Sequence, residues 1–195
     1  PPFTIPNNLT SPITIQGGFT ENFRSSANSS PRSGVTTKVT SAYDSSFGGV
    51  YGIRATGVNS TTVMVRDLVV QGITAGSGQS TYGIVLNGGT SNITFENVQV
   101  GGTNDAGTNV DQEGVNPTGF FADGASATLN GVSVRSGRAV APSGTCGPTG
   151  SSGSSAYGIR AVNGATLSVN GSTVQALNGA SNENGCNGAA GAKTG

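Results

Sequence analysis

The chain has 195 residues, enough for one domain with a core or for a section of a longer repeat array. Only 9% are charged, nine basic residues balance nine acidic ones, and there are 33 glycines and no histidine. This leaves no basic footprint for nucleic acid, no run of eighteen apolar residues for a membrane-spanning helix, and no histidine for Ser-His or Cys-His nucleophiles or for a histidine metal site.

The chain opens on "PPFTIP" and closes on "GAAGAKTG", which reads as a processed or excerpted piece of a longer protein. Within residues 1–49, "ITIQGGF" (13–19) and a looser "VTTKVT" (35–40) read as one or more opening coils with long loops. Regular coils are expected over 50–195. Four stretches there align: "YGIRATGVNSTTVMVRDLVV" (51–70), "YGIVLNGGTSNITFENVQV" (82–100), "TGFFADGASATLNGVSV" (118–134) and "YGIRAVNGATLSVNGSTV" (157–174). Each holds three strand-length pieces with the period of two that marks half-buried β-structure.

Strict alternation predicts three interior sets. The first is Tyr51, Ile53 and Ala55 with Tyr82, Ile84 and Leu86, Thr118, Phe120 and Ala122, and Tyr157, Ile159 and Ala161. The second pairs Val63 with Val65, Ile93 with Phe95, Ala127 with Leu129 and Leu167 with Val169. The third pairs Leu68 with Val70, Val98 with Val100, Val132 with Val134 and Ser172 with Val174. Between the second and third pieces the step is three residues in every repeat, so two residues must turn outward. The second of the two is Asp67, Asn97, Gly131 or Gly171. These residue types tolerate a left-handed backbone, which predicts a tight corner with positive φ.

Three short strands, a fixed corner and a variable third connection describe a coil that buries its apolar face only against the next coil. The predicted fold is all-β: a parallel β-helix, or β-solenoid, of about five coils with long loops from one corner. A β-sandwich is the alternative for many short strands, but its strands would not repeat one corner at one spacing. The phrase "GIVLNGGTSNITFENVQV" resembles the right-handed parallel β-helix family typified by pectate lyases and polygalacturonases. The opening "ITIQGGF" is similar to the first coil of repeat-rich bacterial surface proteins and adhesins. The first resemblance implies right-handed coiling and covers about residues 50–176; it is one of fold pattern and brings no catalytic motif with it.

The third connection carries the length variation and is expected to build a lateral ledge, the usual place for binding in repeat proteins. Cys146 lies 17 residues after Leu129 and Cys186 lies 17 after Val169. Equivalent positions on adjacent coils are one strand spacing apart, so a structural disulfide is expected. Closing that loop stabilises by roughly 3–4 kcal/mol in the chain-entropy picture, and a bridge implies an oxidising, extracellular compartment.

Alternation places Gly52 and Arg54, Gly83 and Val85, Gly119 and Phe121, and Gly158 and Arg160 outward on the first strand, with no carboxylate among them. The glycosidase and lyase chemistry of the resembling family therefore has no counterpart, and no catalytic residue and no cofactor is assigned. Asp123 follows its strand alone and fits the turn "DG" better than catalysis. Loop 101–117 offers Asp105, Asp111 and Glu113 as a candidate calcium group, at a spacing that matches no defined calcium loop. Arg66 and Glu96 occupy equivalent corners, in reach of one another. The outward second-strand residues, Thr62 and Met64, Asn92 and Thr94, Ser126 and Thr128, and Thr166 and Ser168, form a hydroxyl-rich row that resembles ice-binding solenoids and also suits glycans, although Met64 interrupts it. Sequons stand at Asn8, Asn28, Asn59, Asn92 and Asn170.

The functional expectation is a non-enzymatic, extracellular or cell-surface structural or adhesive module. Its partners are expected to be further coils of the same chain or a head-to-tail homopolymer, and surface glycans or other proteins along the ledge. A polysaccharide-binding or polysaccharide-degrading protein is the alternative, and an ice-binding protein a minor one.

Overall fold

The computed structural model describes residues 2–18, 36–71, 79–101, 115–139 and 155–178. Its strands in chain order are β1 (Phe3–Ile5), β2 (Ile13–Gln16), β3 (Thr37–Thr40), β4 (Ala42–Asp44), β5 (Gly49–Thr56), β6 (Val63–Arg66), β7 (Leu68–Gln71) and β8 (Ser80–Asn87). They continue with β9 (Ile93–Glu96), β10 (Gln99–Val100), β11 (Val115–Asp123), β12 (Ser126–Asn130), β13 (Ser133–Arg135), β14 (Tyr157–Val162), β15 (Thr166–Asn170) and β16 (Thr173–Gln175). Three sheets result, ordered β1-β5-β8-β11-β14, β2-β6-β9-β12-β15 and β3-β7-β10-β13-β16. All neighbours in these three orders are parallel; β4 alone runs antiparallel, against the start of β5. The described residues form a parallel β-solenoid of five coils, each giving one strand to each sheet.

The repeat spacing sets the register. Ile53 stacks on Ile84, Phe120 and Ile159 in one column, and Phe3 of β1 adds a fifth member. Ile13, Val63, Ile93, Ala127 and Leu167 form a second column, and Ile15, Val65, Phe95, Leu129 and Val169 a third. Val39, Val70, Val100, Val134 and Val174 form a fourth. The central coils are sealed, with Val65, Phe95, Phe120 and Leu129 at 0% exposure. The rings of Phe95 and Phe120 meet edge to face at 5.4 Å, locking two sheets together across the core.

The three-residue corner has the backbone its composition predicts. Asp67, Asn97, Gly131 and Gly171 have φ of 56°, 51°, 60° and 54°. Each corner amide then donates to the coil above: Gly17 to Arg66, Asp67 to Glu96, Asn97 to Asn130 and Gly131 to Asn170, at 2.9–3.1 Å. In the regular coils the long connections 72–79, 101–114 and 136–156 leave the third strand. The first coil differs, because residues 17–36 join β2 to β3 at the tight-corner position.

Strict alternation fails at one place, the same in the second to fifth coils. A Cβ on Gly52, Gly83, Gly119 or Gly158 would lie 2.3, 2.2, 2.5 or 2.6 Å from Cγ1 of Val70, Val100, Val134 or Val174, so these glycines face the interior rather than solvent. Tyr51 correspondingly does not join the column of Ile53 and Ala55. Its ring packs on Phe47 at 5.5 Å and its hydroxyl meets Thr4 and Asp44, on the outer side of the sheet. The alternation resets at glycine, where Gly52 and Ile53 both turn inward. Only glycine lets the first strand approach the third-strand valine this closely. The second to fifth coils make the same irregularity, so their register holds from the glycine onward; β11 shifts against β8 just before it, between Val115 and Thr118.

Candidate functional site: the outer faces of the coils

The reset brings tyrosines to the outer face of the first sheet, where Arg54, Val85, Phe121 and Arg160 already stand in register. Phe47, at the tip of the β4–β5 hairpin, contacts Tyr51 and Tyr82, and Tyr82 contacts Phe121 at 5.3 Å. The Arg54 guanidinium lies 4.8 Å over the Phe47 ring, and that of Arg160 lies 5.1 Å over Tyr157 and 5.8 Å over Phe121. Aromatic faces capped by guanidinium groups thus run along the axis from the second coil to the fifth. Such stacking holds the charged groups flat and in fixed positions.

Asp44 anchors the hairpin end of this row. Its carboxylate accepts from Ser46 Oγ at 2.6 Å, Tyr51 Oη at 2.7 Å and the Ser46 amide at 2.8 Å, with Arg54 Nη1 at 3.8 Å. The Ser46 and Tyr51 donors hold its pKa down to about 2. Burial pushes the Tyr51 phenol up, so it remains a donor. A carboxylate depressed from about 3.9 contributes its stabilisation above that value and loses it as pH falls toward about 2. Acid titration is therefore expected to loosen the hairpin between these two values, and Asp44→Asn to abolish that pH dependence. The Tyr51 ring resonances report it; an unchanged pH profile in the variant would refute the anchor.

On the second sheet the outward column reads Thr14, Met64, Thr94, Thr128 and Ser168. It is solvent-facing, and Met64 sits within the hydroxyl row. At the neighbouring corner Arg66 turns to Asp67, Nε to Oδ2 at 2.9 Å, instead of pairing with Glu96. Adjacency along the chain favours this partner over the cross-coil one. Burial opposes charge on Asp67, but donors from Arg66, Asn97 and Gln16 outweigh it and hold the carboxyl below its usual range. Asp67, Asn97, Gly131 and Gly171 therefore act as backbone corners. Asp123 likewise stands at a turn, accepting from Asn163 Nδ2 at 2.6 Å just before Gly124 with φ of 57°.

Cys146 and Cys186, and the acidic trio Asp105, Asp111 and Glu113, lie outside the described residues. So does most of the ledge. Among the described residues no three Asp, Glu, His or Cys side chains come together as a metal group. Sequence reasoning missed the Tyr51, Tyr82 and Phe47 part of the outer row. The signal was present: a glycine recurs immediately after Tyr51, Tyr82, Thr118 and Tyr157. No protein-family model matches the chain, and no curated protein or solved structure matches it significantly.

Proposed function

We propose that this chain is a non-enzymatic, extracellular β-solenoid module, a rigid stretch of a surface protein or filament whose last coil receives a further coil. One observation carries the reading. Val169 and Val174 of the last described coil are 43% and 45% exposed, whereas Leu129 and Val134, their equivalents one coil back, are 0% and 1% exposed. Among the described residues, three parallel strand edges and their apolar columns stand open together there. Natural β-proteins block such edges, and solenoids need capping repeats to stay soluble. A longer chain supplies the cover by continuing the coils. A second copy supplies it by head-to-tail stacking, a contact that does not close and so propagates. In that arrangement Ile15 of the next copy continues the Val169 column and Val39 the Val174 column. The particle isolated from its source is expected either to exceed this mass on a denaturing gel or to sediment as a polymer. A stable, dilute monomer of these residues alone with its end coil protected from hydrogen exchange, or a chain that cleaves acidic polysaccharides, would overturn the proposal.

The aromatic and arginine row favours a second reading, polysaccharide binding along the first sheet. Rings stack on the apolar faces of sugars, and arginine selects carboxylated ones. Titration of tyrosine fluorescence with neutral and uronic oligosaccharides tests it. Saturable uronic binding lost in Phe121→Ala and Arg160→Ala supports this reading, and no binding removes it.

A further inference from the structure

The tight corner has one chemical consequence that distinguishes the last coil from the others. Asn130-Gly131 and Asn170-Gly171 occupy the same corner on adjacent coils, with φ of 60° and 54° at the glycines. Both asparagines are followed by glycine, the residue that least hinders attack of its own nitrogen on the preceding side chain. Their surroundings differ. The Gly131 amide donates to the Asn170 carbonyl at 2.9 Å, as every earlier corner amide donates to the coil above it. Among the described residues the Gly171 amide has no such acceptor. A Cβ on Gly131 would meet Asn97 Oδ1 at 3.1 Å, whereas nothing lies within 4 Å of one on Gly171. Asn170 itself is exposed.

We propose that Asn170 is a spontaneous deamidation site, selected by the missing coil-to-coil hydrogen bond at Gly171. Hydroxide removes the Gly171 amide proton, and the nitrogen attacks Asn170 Cγ. The Cγ–Nδ2 bond breaks and the amide leaves as ammonia. The cyclic imide then takes up one water and opens to aspartate or isoaspartate. At Asn130 the attacking nitrogen is engaged, and the corner must open before it reacts.

Deamidation alters the edge that faces outward from the stack. Asn170 Nδ2 donates to Asn130 Oδ1 at 3.0 Å and to Ser168 Oγ at 3.3 Å. A carboxylate has no donor for either. Isoaspartate also inserts an extra backbone carbon at the corner, which displaces the following strand from register. A further coil stacked on the end would engage the Gly171 amide and silence the site. That last consequence rests on the function proposed above; the deamidation site does not.

The test is incubation of the folded chain, dilute and at mildly alkaline pH, followed by peptide mapping for the one-dalton gain and for isoaspartate. Asn130 is the internal control. Asn170 is expected to deamidate at least about fivefold faster, the factor that corresponds to one ordinary backbone hydrogen bond. In denaturant the two rates are expected to converge, because both sites are then Asn-Gly in open chain. Equal rates in the folded chain, or Asn130 reacting first, would overturn the proposal. A fivefold difference that persists in denaturant would also overturn it, because the selection would then be local sequence and not the coil.

Discussion

Phe95→Ala is expected to lower stability by about 3–5 kcal/mol, the range for emptying an aromatic site in a sealed core. Phe95 is fully buried, stacked between Val65 and Leu129 in its column and set edge-to-face on Phe120. The ring pair adds about 0.5–1.5 kcal/mol beyond the area it buries. Little can move in to fill the hole, because the β-ladders on either side fix the coil spacing. Phe95→Leu should cost under about half as much, since most of the volume remains. Val169→Ala occupies the same column two coils on but is 43% exposed, and should cost little. Denaturant unfolding of the three variants checks the order. A Phe95→Ala loss no larger than that of Val169→Ala would contradict a sealed interior.

Gly83→Ala is expected to be nearly as damaging, although it adds a single methyl group. The new Cβ would lie 2.2 Å from Val100 Cγ1 and 2.5 Å from the Gly119 carbonyl oxygen. One obstacle is a fully buried side chain and the other is the backbone of the next coil, so neither yields cheaply. Overpacking of this kind costs about 1–3 kcal/mol, and the backbone contact puts this site at the upper end. Adding Val100→Ala removes the first obstacle and leaves the second. The double variant should therefore be more stable than the sum of the single losses, a coupling expected only for groups in contact. Strict additivity in the cycle would show that Gly83 does not face Val100.

The contrast between these two sites explains what the sequence reveals. Phe95 was legible because alternation and a constant three-residue corner place it in one column with Val65, Leu129 and Val169. The corner conformation was legible for a related reason: Asp, Asn and Gly share one rare backbone region, and only they fill that position. Gly83 was misread because a period-two pattern assigns faces by parity, and parity carries no information about a reset. The first strand, Phe3–Ile5, is too short to show a period. The β4 hairpin is marked only by the turn residues of "DSSFGG", with no alternation on its short first strand. Of the candidate sites, the outer row was half legible. Arg54, Phe121 and Arg160 fell on the outward parity, while Tyr51 and Tyr82 were placed inside.

Hydrogen exchange along the dilute 195-residue chain tests the open coil stack most directly. Amides of β8, β9 and β10 lie between two coils, whereas β14, β15 and β16 are paired on one side among the described residues. Exchange should therefore run faster in β14–β16 than in β8–β10, with the alternate amides of β15 that point away from β12 lost before those that pair with it. Equal protection of β14–β16 and β8–β10 in a dilute monomer would contradict it, because the last coil would then already be covered.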